Sequence, residues 1–225
     1  MASIHMDLTE AVSTHTDELD WVASPQPGVM RKRLEREAAE SGRATTIVRY
    51  DSGAAFPAHR HPGGEEYFVL QGTFSDENGD FGEGTYVRNP PGSRHEPFSR
   101  EGCTIFVKLG QMAPTGEPQV MVDTHARAWV ATEIEGYWRM PLFTSSQNSE
   151  EVTLERLEAG VTVPANAVEG GEEILVLSGD LRVDDIPYPT HSWIRHPAGS
   201  HRSIVGGTDC VFWVKRGHLR QGTLQ

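Results

Sequence analysis

The sequence predicts an all-β chain built as two tandem jelly-roll barrels, and three observations lead there. First, shifting the 225-residue chain by 107 residues superimposes it on itself: Gly53 falls on Gly160, Glu65-Glu66 on Glu172-Glu173, Val69-Leu70 on Val176-Leu177, Gly72 on Gly179, Gly92-Ser93 on Gly199-Ser200, Cys103 on Cys210 and Lys108 on Lys215. With a one-residue slip, Trp21-Val22 also matches Trp129-Val130. A period this long marks a duplicated domain rather than a solenoid. Second, both copies carry short runs rich in Val, Ile, Thr and aromatics, bounded by Gly, Pro, Asp or Asn, which read as strands. Third, no helices alternate with these runs, which favours a double-sheet jelly roll in each half over a βαβ architecture.

The predicted strands of the first copy are 44–50, 66–70, 84–88 and 103–109; their counterparts are 152–157, 173–177, 192–195 and 210–215. Residues 31–40 have helix-forming composition, but the matching stretch 138–148 contains Pro141 and several Ser, Thr and Asn residues. A helix in only one copy of a duplication is inconsistent, so an extended strand followed by a loop is predicted. The Pro/Gly-containing stretch 113–118 places the boundary between domains 1–114 and 115–225.

Composition excludes several functions. A formal net charge of −12 argues against a nucleic-acid backbone or an anionic membrane as partner. No apolar run approaches the ~20 residues needed to span a bilayer. No basic segment followed by an apolar stretch opens the chain, so no secretory signal is expected, and the expected location is cytoplasmic. Two cysteines, Cys103 and Cys210, make no disulfide framework. Their equivalent strand positions predict two buried, small apolar side chains.

Chemistry concentrates between residues 53 and 95. Gly53-Ala-Ala-Phe-Pro-Ala-His59-Arg-His61-Pro-Gly-Gly-Glu65-Glu66 leads to Gly72, and Gly84 leads through Asn89-Pro90-Pro91-Gly92 to His95. On a strand His59 and His61 point to one side. The turn 62–64 then brings Glu65 back to the same centre, and His95 arrives on another strand. Three imidazoles and a carboxylate suit Fe(II), Mn(II), Ni(II), Co(II) or Zn(II) better than Ca(II) or Mg(II). Glu65 is preferred over Glu66 as the ligand, because Glu66 faces the other way. Tyr67 and Val69 share the parity of Glu65 and are expected to line the pocket. Phe106, with Arg49 and Lys108, is a further candidate for that lining.

The second copy lacks this set. Asn166, Val168 and Arg202 stand where His59, His61 and His95 stand in the first. His191, His196 and His201 are spaced by five residues, which alternates their faces, so no second centre is expected. His5, His15, His125 and His218 have no ligand-like companions in sequence and are expected at the surface.

These residues match G-x5-H-x-H-x3-E-x6-G followed by G-x5-P-x-G-x2-H at every defining position. The chain thereby resembles the cupins, and with its degenerate twin it looks like a bicupin. The wording His59-Arg-His-Pro-Gly-Gly-Glu-Glu66, with Arg88-Asn-Pro-Pro-Gly-Ser93 downstream, is similar to the cupin module of ChrR-type anti-sigma factors. The resemblance implies one divalent metal (Fe, Zn, Mn or Ni) in the first barrel. It also implies a small-molecule substrate and dioxygenase-type oxidoreductase chemistry, with Glu65 able to loosen from the metal and act as a base. The alternative it implies is a non-catalytic sensor or regulatory module that binds metal and ligand. ChrR-type proteins carry a sigma-binding zinc domain with a His/Cys cluster, and no cysteine precedes Cys103 here, so a sigma-factor partner is not expected. A homodimer remains open.

Overall fold

The computed structural model describes residues 3–219. Among them the only helical elements are two short 3-10 turns, Thr16–Glu18 and Thr124–Ala126, and no helix is long and apolar enough to cross a membrane. Each half is a jelly roll in which one large antiparallel sheet is faced by smaller ones.

The first compact unit holds the described residues up to Met6 together with Leu19–Ala126. Its large sheet runs in the order Val120–Asp123, Thr85–Asn89, Glu65–Asp76, Cys103–Leu109, Ala44–Tyr50, Val29–Arg36, Val22–Ala23, with Gly79–Gly82 folded back on Glu65–Asp76 as a hairpin. A two-stranded sheet pairs His59–His61 with Ser93–His95. The second unit joins Asp7–Glu18 to the chain from Arg127 onward. Its large sheet runs Val12–His15, Ser192–His196, Glu172–Ser178, Cys210–Arg216, Glu151–Leu157, Tyr137–Thr144, Val130–Ala131. Its smaller sheet has four strands, Thr162–Val168, Ser200–Gly206, Asp180–Val183 and Ile186–Pro189. Segment 31–40 is extended as far as Arg36 and then turns.

The two large sheets are related strand for strand, and in each the edge strand comes from the other repeat. Val12 pairs with Arg195, and at the equivalent place Val120 pairs with Arg88. A single cut between residues 114 and 115 therefore separates both edge strands from the sheets that hold their hydrogen bonds. The compact units are discontinuous in sequence for that reason.

Strand alternation builds the cores. In Cys103–Leu109, the residues Cys103, Ile105 and Val107 enter a cluster with Tyr67, Val69, Phe74 and Phe81, while Phe106 and Lys108 lie on the opposite face. Tyr67 sits edge-on to Phe74 at 4.9 Å and to Phe81 at 6.1 Å between ring centroids. Each such aromatic contact is worth roughly 0.5–1.5 kcal/mol beyond the area it buries. The second core repeats the plan with Ile174, Val176, Leu181, Val183, Cys210, Phe212 and Val214. Both cysteines are buried free thiols, and burial pushes each up to about 11.

One turn sets the geometry of the site. Gly64 has φ +74°, a left-handed conformation that side chains resist, and its amide donates to the His61 carbonyl at 3.1 Å. Beside it, a Cβ on Gly63 would lie 2.8 Å from the Gly110 backbone. The two glycines let the chain reverse tightly enough for Glu65 to return toward His61.

Candidate metal centre

His59 and His95 are direct cross-strand partners in the small sheet, and His61 lies two residues along on the same side. The three rings form a nearly equilateral triangle, with centroids 4.7, 4.9 and 5.0 Å apart. One ligating atom from each falls within 4.8 Å of the others. His61 Nε2 is 3.0 Å from His95 Nε2, and Glu65 Oε2 is 3.6 and 3.5 Å from those same nitrogens. The donor set fits a divalent transition metal.

Supporting groups fix His95, His59 and Glu65. His95 Nδ1 lies 3.2 Å from Asp76 Oδ2, which leaves Nε2 turned to the centre. His59 Nδ1 bonds the Pro57 carbonyl at 2.8 Å. Asn89 opposes Glu65 on the neighbouring strand and donates to its Oε2 at 3.0 Å; Gln119, just before the edge strand Val120–Asp123, donates to Asn89 Oδ1 at 2.7 Å. Burial lowers the pKa of His61, keeping its imidazole neutral and able to ligate. Burial also pulls His95 down, but the Asp76 hydrogen bond and the nearby Glu65 charge outweigh it, so its net shift is upward.

The other expected site residues separate. Glu66 faces away from the triad and accepts from Tyr86 Oη at 2.9 Å and Arg88 Nη1 at 3.1 Å. Tyr67 and Val69 lie in the core on the Glu65 face. The Tyr67 hydroxyl is buried and has no hydrogen-bond partner among the described residues. Phe106 does not line the site: odd and even residues of its strand face opposite ways, and its ring sits beside Lys108 instead. Lys108 donates to Thr45 at 2.8 Å, and Arg49 stacks on Trp21 at 4.6 Å. Asp76, Asn89 and Gln119 had not been singled out from sequence. For Asp76 the signal was present, since its counterpart in the stripped copy is the apolar Val183.

In the second unit the lost ligands are replaced by ion pairs. Arg202, at the His95 position, grips Glu172, at the Glu65 position, through Nε at 2.6 Å and through Nη2. Arg216 reaches the same carboxylate at 2.9 Å and Glu155 at 2.5 Å, and Arg139 joins Glu155 to Glu151. In the first copy the positions of Glu155 and Arg216 are held by Val48 and Leu109, so the second copy has a charged pair where the first has two apolar residues. Among the described residues no second His/Cys/Asp/Glu trio accompanies the first. His191 bonds Asp17, His196 lies 3.5 Å from Glu172, and His201 is exposed. His5 and His125 are exposed and His15 is partly so, whereas His218 is not a surface residue: its side chain is 1% exposed and bonds Glu173 at 3.0 Å.

Solved structures share this architecture at low identity. A Nostoc punctiforme protein named by inference as a dioxygenase superimposes with TM-score 0.74 at 15% identity, covering 96% of this chain and 86% of its own. The Escherichia coli protein Ylba gives 0.72 at 16%, covering 97% and 95%. The bacterial pirin YhhW in complex with nickel(II), also from Escherichia coli, gives 0.69 at 12%, covering 92% and 98%. At such identities the likeness establishes the fold alone. No curated protein matches the sequence. The model of the ChrR cupin-like domain matches twice, over residues 9–113 and 117–220. Nearly the whole chain is covered by these two copies, and it belongs to the ChrR cupin-like domain family.

Proposed function

We propose that the first unit is the active centre of a metal-dependent, dioxygenase-type oxidoreductase acting on a small molecule, with His59, His61, His95 and Glu65 holding one divalent metal. The observation that carries this reading is the convergence of three imidazoles and one carboxylate on a single point, with two imidazole nitrogens 3.0 Å apart and a carboxylate oxygen 3.5–3.6 Å from both. When bound, the metal supplies Lewis acidity and a meeting point for an oxygen-donor substrate and dioxygen.

The chain's own residues do the rest. Asp76 and the Pro57 carbonyl orient His95 and His59, and Asn89 steadies Glu65. Glu65 is the carboxylate on the Nε2 side of the triad and would take a proton from the substrate. The Tyr67 hydroxyl, buried without a partner, is the donor kept for an oxygen atom of the bound substrate. The aromatic wall of Phe74 and Phe81 excludes water around it.

Metal analysis of protein purified without chelators, followed by oxygen consumption with diketones and catechols, tests this. One equivalent of Fe, Mn or Ni and turnover that is lost in His59→Ala and His95→Ala are the expected results. Unchanged metal content in those variants overturns the ligand set.

The family match favours a second reading, a sensor module that binds metal and ligand without turnover. Tightly held Zn and no oxygen consumption across the panel would select it.

A further inference from the structure

The three positions that lack histidines in the second unit have not closed up. Asn166, Val168 and Arg202 line a cavity of about 440 Å³. That volume falls within the roughly 300–1,000 Å³ of small-ligand sites. It occupies the place in the second copy that the imidazole triad occupies in the first.

The cavity is polarised from floor to mouth. The Arg202 side chain is only 7% exposed, whereas Glu151 is 32% exposed and Glu133 lies open at the rim. Ile134 and Val163 supply apolar wall. Arg202 spends Nε and Nη2 on Glu172, and Arg139 spends Nε on Glu155 and Nη2 on Glu151. In each the Nη1 group makes no hydrogen bond to a described residue. Arg216 is fully engaged, through Nε to Glu172 and through Nη1 and Nη2 to Glu155. Two anchored guanidinium ends are thus left to bind, and a planar fork held in place loses little entropy on taking a carboxylate.

Charge decides what accompanies that carboxylate. Arg139, Arg202 and Arg216 are matched in number by Glu151, Glu155 and Glu172, so a bare anion would enter a balanced network and face Glu133 at the mouth. A ligand with an ammonium at its outer end meets both demands. We propose that the second unit binds a small amino-acid-like zwitterion. Its carboxylate lies on Arg202 and Arg139, its ammonium points to Glu133 and Glu151, and its apolar part rests on Ile134 and Val163. The guanidinium of Arg202, fixed by Glu172, takes the place proposed for the metal in the first unit.

Thermal denaturation of the full chain with the common α-amino acids tests this, each set against its matched carboxylic acid and its matched amine. At least one amino acid is expected to raise Tm in a concentration-dependent way. The acid and the amine should each bind ~10-fold or more weakly, the cost of about 1.4 kcal/mol for one lost contact. Arg202→Gln should abolish the shift. Val163→Trp, which fills the cavity and leaves the Arg202–Glu172 pair intact, should abolish it too. The proposal is overturned if no amino acid shifts Tm, if the shift survives Val163→Trp, or if the carboxylic acid binds as tightly as the amino acid. Metal content, read in the same samples and expected to stay constant, keeps the outcome separate from the first unit's chemistry.

Discussion

Arg202 clasps Glu172 with two of its three guanidinium nitrogens, at the positions that His95 and Glu65 occupy in the first unit. A fixed organic cation thus neutralises the carboxylate that the metal is proposed to neutralise in the other copy. Removing it should be costly. Arg202→Met is expected to destabilise the second unit by about 3 kcal/mol, since breaking a buried pair leaves a charge behind. Urea denaturation read by the buried Trp193 and Trp213 would measure this, with metal content unaltered.

The same network gives the second unit an acid limit. Burial pushes the Glu155 carboxyl up, but the Arg216 guanidinium outweighs it and holds the group at about 2 against an ordinary 4.5; Glu172 is likewise held well below the usual range. Because the folded values are the depressed ones, the stabilisation is complete above about pH 4.5 and is lost as pH falls toward 2. The denaturation midpoint should be flat above that window and fall within it, by of the order of 3 kcal/mol for Glu155 alone. A midpoint independent of pH across the window would contradict the network.

Asp76 should matter to the metal without touching it. Asp76→Asn keeps the shape but weakens the hold on His95 Nδ1, and is expected to reduce metal affinity about 10–100-fold with the fold intact. Competition with a chromogenic chelator would read the change.

Tyr67→Phe should separate stability from turnover. An unmet buried hydroxyl costs about 1–3 kcal/mol, so its removal should leave the denaturation midpoint unchanged or raise it. Turnover should nevertheless fall, with KM rising if the hydroxyl binds substrate oxygen. A lower midpoint would show that the hydroxyl has a partner in the folded state.

Neither thiol should react in the native protein. Burial pushes Cys103 and Cys210 up to about 11, so alkylation at neutral pH should require unfolding. Mass spectrometry before and after denaturant decides it.

The histidines were legible because their information is local. Two sit in one short strand at the alternation that shares a face, and the third follows a Pro-Gly turn of recognisable spacing. Asp76 was hidden. It lies 19 residues from His95, at the foot of a hairpin whose residues 75–80 read as a polar turn. Phe106 was misplaced because nothing local fixes which face of its strand meets the core, and Cys103, Ile105 and Val107 take that face. His218 read as a surface residue because its partner Glu173 is 45 residues away in sequence. The Glu155–Arg216 pair needed the two copies to be compared for what the second gained, not only for what it lost.

The exchanged edge strands tie the two repeats together. Val120–Asp123 lies within the second family repeat, yet it completes the first unit's sheet, and the adjoining Gln119 steadies Asn89 against Glu65. Discarding the second repeat would discard part of the frame around His59, His61, His95 and Glu65. The two repeats are therefore one structural unit of inheritance: the first sheet is incomplete without a strand that the second repeat supplies.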